Sequence, residues 1–173
     1  IYSIAQQDWD GYESSWGFQS PSLLFSSAES LPSLESSYSA WRTRSCKTVT
    51  KMKRLEEENN RLFIEAYGLQ DELTTEVPLP EITLTCNPHY RYGGDLTHEE
   101  REARLKSDTM RELVSYAIGC MMGRYSVAEP GLIYAHSGGV GFDPSRYGAF
   151  PADDDGIIPL TEEQWFADDA AVR

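Results

Sequence analysis

Residues 34–69 read LESSYSAWRTRSCKTVTKMKRLEEENNRLFIEAYGL, and in them Leu34, Tyr38, Trp41, Ser45, Thr48, Met52, Leu55, Asn59, Leu62, Ala66 and Leu69 recur at spacings of four and three. That spacing keeps one stripe on one face of an α-helix, and Gly68 supplies a stop signal. At 1.5 Å per residue the helix would be roughly 50 Å long. Ser45, Thr48 and Asn59 interrupt the stripe, and polar seam positions cost a coiled coil stability. Two fates remain open to it: packing along its own protein, which the incomplete seam favours, or pairing with a second chain as a homodimer.

On the N-terminal side, residues 1–33 are rich in serine and aromatics, carry no Lys or Arg, and are broken by Gly11, Gly17, Pro21 and Pro32. Such a stretch is too apolar for disorder and too interrupted for a regular element, which predicts an irregular arm. On the other side, residues 70–96 contain Pro78, Pro80, Pro88, Gly93 and Gly94 and read as a linker, with one short strand at 82–85. Thr97-His98-Glu99-Glu100 has the form of a capping box and opens a second long helix, running to about residue 125 within a 97–126 segment. Gly119 and Gly123 in that helix predict close helix packing in a soluble core, because the apolar run is too short to span a bilayer. Residues 127–173 read as loops, closed by a short helix that Thr161-Glu162-Glu163-Gln164 would cap and that carries Trp165 and Phe166. The fold class expected is mainly α: two long helices, about 34–68 and 98–125, within one helical module.

The net charge of −13 opposes a free-standing nucleic-acid binder, since phosphate neutralisation needs concentrated cations. Of the 15 Lys and Arg, however, Arg42, Arg44, Lys47, Lys51, Lys53 and Arg54 form a single cluster. Arg44, Lys47, Lys51 and Arg54 share one helical face, on which a DNA backbone would make salt-sensitive, sequence-independent contacts. A solvated helix surface beside the Glu56-Glu57-Glu58 run satisfies the same charge pattern. No membrane span or secretory leader is readable, and Cys46, Cys86 and Cys120 form neither a disulfide framework nor a zinc pattern, which predicts a reducing cytoplasm. A start at Ile1 and an end at Arg173 just after an apolar-acidic run predict a piece of a larger protein.

Motifs that carry chemistry are sparse. Asn87-Pro88-His89-Tyr90 approaches the (Asn/Asp/Ser)-Pro-Pro-(Tyr/Phe) loop with which amino-group methyltransferases hold a flipped base, but His replaces the second proline and no sheet frames it, so a turn is expected. The stretch from Ser137 to Pro144 fits neither glycine-rich phosphate motif. Asp153-Asp154-Asp155 lacks the alternation of a calcium loop, and His89, His98 and His136 have no ligand or triad spacing, with His98 expected in solvent beside Thr97. No catalytic, cofactor-binding or metal-binding residue is assigned.

Taken as a set, RLEEENNRLFIEAYGLQDEL (54–73), MRELVSYAIGCMMGRY (110–125), GLIYAH (131–136) and FPADDDGIIP (150–159) resemble the PglX-type adenine-specific DNA methyltransferases of BREX phage-defence systems and related large DNA-modification enzymes. The resemblance runs from Ile4-Ala-Gln-Gln-Asp-Trp-Asp10 to the Trp165 region. It implies a parent enzyme that methylates adenine N6 with S-adenosylmethionine. In that family the cofactor turn and the base-holding loop lie upstream. The resemblance therefore implies that this chain is a non-catalytic connector between a methyltransferase domain and a target-recognition domain, meeting DNA through the parent and through the Arg42–Arg54 cluster.

Overall fold

The computed structural model describes residues 1–24, 33–136 and 140–153. The Ser137-Gly138-Gly139 stretch and the helix expected from Thr161 lie outside the described residues. Helix α1 spans Tyr2–Trp9, α2 Leu34–Tyr67, α3 Pro88–Arg91 and α4 His98–Met121, with 3-10 turns at Leu79–Glu81 and Pro144–Tyr147. The chain divides into two compact units, Ile1–Ala117 and Ile118–Arg173, the boundary falling inside α4. Both long helices stand where the periodicity puts them, and among the described residues there is no strand.

Each long helix begins with a reciprocal cap. Ser33 accepts from the Ser36 amide at 3.2 Å while the Ser36 hydroxyl accepts from the Ser33 amide at 3.2 Å. Thr97 and Glu100 make the pairing read in the sequence: Thr97 Oγ1 accepts the Glu100 amide at 3.2 Å, and the Glu100 carboxylate accepts the Thr97 amide at 2.7 Å. These contacts satisfy donors that the first turn of any helix leaves without partners. At its far end α2 stops on Gly68, whose φ of 69° lies in the left-handed region that favours glycine.

The core of the first unit gathers Leu23, Trp41, Val49, Met52, Val77, Ile82, Leu84, Cys86, Tyr92 and Leu105. From α2 it takes the first half of the stripe, Trp41, Ser45 and Met52, joined by Val49. Burial of this face consumes the surface that a two-stranded coiled coil would need over that half.

Two expectations are corrected here. The strand at 82–85 does not form, although its alternation is real: Ile82, Leu84 and Cys86 are buried while Thr83 is exposed. With no neighbouring strand, its peptide groups find other partners. The Thr85 and Cys86 amides donate to the two oxygens of the Asp8 carboxylate at 2.5 and 3.1 Å, and Leu84 donates back to Ile82 at 2.8 Å. The arm is not irregular throughout either, because α1 occupies its first residues and presents Asp8 to that segment.

In the second unit the glycine pair acts differently from the expectation. A Cβ on Gly119 would fall 2.6 Å from the Tyr125 ring, so the residue admits an aromatic side chain of its own segment. Gly123, at φ 75°, reverses the backbone and ends α4 short of residue 125. Tyr147 is buried, donates to the Gly123 carbonyl at 2.5 Å and stacks on Phe142 with ring centroids 5.2 Å apart.

Removing Asp8 strips a charge-assisted acceptor from two amides, each such bond being worth about 1.5–3 kcal/mol. Asp8→Ala is therefore expected to lower unfolding free energy by about 3 kcal/mol in urea titrations, within the roughly 2–5 kcal/mol expected of the core truncation Leu105→Ala. Trp16→Ala, at a fully exposed position, should change it by less than about 0.5 kcal/mol. A silent Asp8 variant would remove the carboxylate from the account of the core.

Candidate nucleic-acid interface

At 3.6 residues per turn the six clustered cations of α2, Arg42 to Arg54, fall on two faces. Arg42 and Lys53 flank the buried stripe, and both are held by the protein. Arg42 grips Glu102 of α4 with two parallel bonds, Nε to Oε2 at 2.7 Å and Nη2 to Oε1. Its hydrogen-bonded partner pulls the Glu102 carboxyl below the ordinary value of 4.5, against the opposing effect of burial. Lys53 reaches the Glu57 carboxylate and the Val77 carbonyl, the latter at 2.7 Å, and so ties α2 to the chain that returns from its far end.

The remaining four, Arg44, Lys47, Lys51 and Arg54, are exposed on the opposite face, as the sequence spacing predicts. Lys47, Lys51 and Arg54 have no ion-pair or hydrogen-bond partner within the described residues. Arg44, exposed on the same face, donates from its Nη2 to the Ser22 carbonyl at 3.1 Å. Farther along this face Arg61 lies between Glu58 and Glu65, at 2.6 and 2.8 Å, and the positive stripe gives way to a neutralised patch. Arg44 and Thr48 also line a cavity of about 780 Å³ whose other walls include Gln6, Gln7, Gln19 and Ser22. Amide and hydroxyl groups of this kind hydrogen-bond phosphate and sugar oxygens.

The Asn87 tetrad is committed to the fold. Asn87 is 1% exposed; its amide group donates to the Leu79 and Ile82 carbonyls at 2.8 and 2.9 Å, and its oxygen caps α3 by accepting from the His89 amide at 3.1 Å. An amide so placed has no free donor to offer a base, and the segment is a helical turn. His98 is exposed, as expected, and stacks on His89 with centroids 5.8 Å apart. Burial and the nearby Arg101 together push the His89 imidazole below its usual range. Among the described residues no group of His, Cys, Asp and Glu is arranged to hold a metal ion, and Asp154 and Asp155 lie outside them. No helix of the described residues is long and apolar enough to cross a membrane.

Sequence reading missed Arg91. It donates to Glu112 at 2.7 Å and sits between the Tyr12 and Tyr92 rings, with Cζ 5.5 and 5.6 Å from their centroids. Burial raises the Glu112 carboxyl although Arg91 opposes the shift, and burial beside Asp8 likewise raises Tyr12. Nothing local in the sequence announces this cluster, because its members come from three separate segments.

The described residues thus form a helical segment with exposed cations along one face of α2. The chain is homologous to a segment of adenine-specific methyltransferases. It is 38% identical over 174 residues to the adenine-specific methyltransferase BrxX of Escherichia coli O9:H4 (strain HS), a match covering 98% of this chain and 14% of that protein. With the adenine-specific methyltransferase PglX of Lacticaseibacillus casei (strain Zhang) it shares 34% identity over 174 residues, covering 99% of the chain and 13% of the relative. The chain thus spans a small part of the length of the relatives it matches. No family model matches it.

The Arg42–Glu102 pair sets a pH dependence. Because Glu102 ionises more readily in the folded chain than in the unfolded one, its contribution is complete above the ordinary carboxylate range and is lost as pH falls through the depressed folded value. The difference in Tm between the parent chain and Glu102→Gln should be widest at neutral pH and narrow as pH falls below 4.5. A difference that stays constant across this range would exclude an ionised pair.

Proposed function

We propose that this chain is a non-catalytic helical segment of an adenine-N6 DNA methyltransferase, bracing the catalytic domain against target recognition and contacting the DNA backbone through Arg44, Lys47, Lys51 and Arg54. The observation that carries the DNA contact is the exposed cationic face of α2, on which Lys47, Lys51 and Arg54 have no partner among the described residues, in a chain whose net charge is −13. Arg42 and Lys53, bound within the fold, steady the helix from its other side. The methyl donor, S-adenosylmethionine, belongs in this reading to the parent enzyme, and no residue here is assigned to it. The names of the relatives support the parent activity, and their much greater length leaves room for a catalytic domain elsewhere.

The far end of α2 supports the bracing role. Phe63 and Tyr67 lie on the continuation of the buried face, stack at 6.4 Å and are exposed, with Leu62 and Leu73 exposed nearby. An aromatic surface continuing a core face is suited to packing against another domain of the parent. Homodimerisation through this end is the second reading, narrowed from the whole heptad to the half that the core leaves uncovered.

Duplex DNA titrated by fluorescence anisotropy should bind with a log–log salt slope of about −0.9 per phosphate contact. Replacing Arg44, Lys47, Lys51 and Arg54 by Glu should weaken binding and flatten the salt slope, whereas unchanged affinity would remove the DNA contact. Sedimentation of the chain is expected to give a monomer. A dimer that dissociates on Phe63→Asp with Tyr67→Asp would favour the second reading instead.

A further inference from the structure

Arg91, at the end of α3, and Arg104 and Arg111, two turns apart on α4, converge with Gly93, Ser107 and Asp108 on a cleft of about 520 Å³. Its charges do not cancel. Glu112 holds Arg91 at 2.7 Å. Asp108 is shared, lying 3.4 Å from Arg111 and 3.8 Å from Arg91 while accepting the Tyr92 hydroxyl at 2.7 Å. Arg104 has no carboxylate partner among the described residues; its Cζ lies 5.6 Å from the centroid of the Tyr92 ring. Stacking of this kind fixes a guanidinium plane and leaves its N–H groups free to donate. The cleft's own lining carries three guanidiniums and one carboxylate. Glu112, with Glu13 beside it, faces Arg91 from outside that lining, so the cation left for an anion is Arg104. At the rim, a Cβ on Gly93 would meet nothing within 4 Å, so the backbone there is open to an approaching ligand.

We propose that this cleft binds a phosphate group carrying one negative charge, whether the phosphodiester of a nucleic-acid backbone or free phosphate, with Arg104 and Arg111 as the principal donors and Ser107 assisting. Guanidinium forks match tetrahedral oxyanions by paired hydrogen bonds, and Asp108, occupied by Tyr92 and two arginines, orients the fork of Arg111. On α4 the residues Arg104, Ser107 and Arg111 lie on the side away from Glu102, the residue through which that helix meets α2. The site is therefore separate from the cationic stripe of α2 and stands or falls independently of it.

The test is an NMR titration of the ¹⁵N-labelled chain with inorganic phosphate and, separately, with a short DNA duplex, against chloride at matched ionic strength. Phosphate is expected to shift the Gly93 amide and the Nε–Hε resonances of Arg104 and Arg111. The double variant Arg104→Gln with Arg111→Gln should weaken binding at least about tenfold, the loss of one charge-assisted hydrogen bond. Lys47→Glu with Lys51→Glu should leave the phosphate titration unchanged. Shifts with both titrants identify the nucleic-acid backbone as a ligand, and shifts with phosphate alone identify the free anion. If phosphate moves none of these resonances beyond the chloride control, or if the double variant binds it as tightly as the parent, the proposal is overturned.

Discussion

A segment that alternates inward and outward like a strand, yet has no sheet to join, must find partners for its peptide groups elsewhere, because a buried unpaired amide costs about as much as a lost hydrogen bond. Residues 82–86 are in that position, with Ile82 and Leu84 fully buried. Two side chains resolve it. Asp8 receives the Thr85 and Cys86 amides, and Asn87 donates to the Leu79 and Ile82 carbonyls. The same two residues tie neighbouring helices to the segment: α1 carries Asp8, and Asn87 caps α3. The same constraint withdraws the one sequence that resembles a base-holding loop, since the Asn87 amide is consumed by the fold.

Much of this was legible in the sequence, and the failures have identifiable causes. Heptad spacing located α2 and the Thr97–Glu100 box located the start of α4, because both signals are local: a helix makes its hydrogen bonds within itself. The strand at 82–85 failed for the converse reason. Alternation reports burial, and only a second strand turns it into a sheet. Helix α1 escaped notice because only Ile4 and Ala5 of it pack against the core, both partly buried, too few to make an apolar stripe. Gly119 and Gly123 were legible as places needing a missing Cβ. What they make room for, the Tyr125 ring and a left-handed turn, depends on how the chain continues after the helix.

The charge pattern was legible only in part. Six cations in thirteen positions announce a basic helix, and periodicity separates Arg44, Lys47, Lys51 and Arg54 from the other two. That Arg42 and Lys53 are engaged depends on Glu102 and on the Val77 carbonyl, which come from distant parts of the chain. The division has a physical logic. Cations that flank a buried face lose hydration on one side, and a bidentate carboxylate or a carbonyl replaces it, whereas Lys47, Lys51 and Arg54 on the outer face keep their water and remain available to an exchangeable anion. An overall charge of −13 is therefore no bar to a local phosphate contact, provided the acids lie farther than a screening length of about 8 Å from it at physiological salt.

Arg91, Arg104 and Arg111 carry the argument one step further. Along the sequence they are isolated, each with an acid within a turn or two, and a reading by charge runs passes over them. Folding the Arg91–Gly93 loop against α4 sets two guanidiniums on one shared carboxylate and gives Arg104 an aromatic face in place of a counter-ion. An aromatic ring holds a guanidinium without neutralising it. Had Tyr92 been a glutamate, the same geometry would be a closed surface ion-pair network. With tyrosine there, it retains an unspent positive charge.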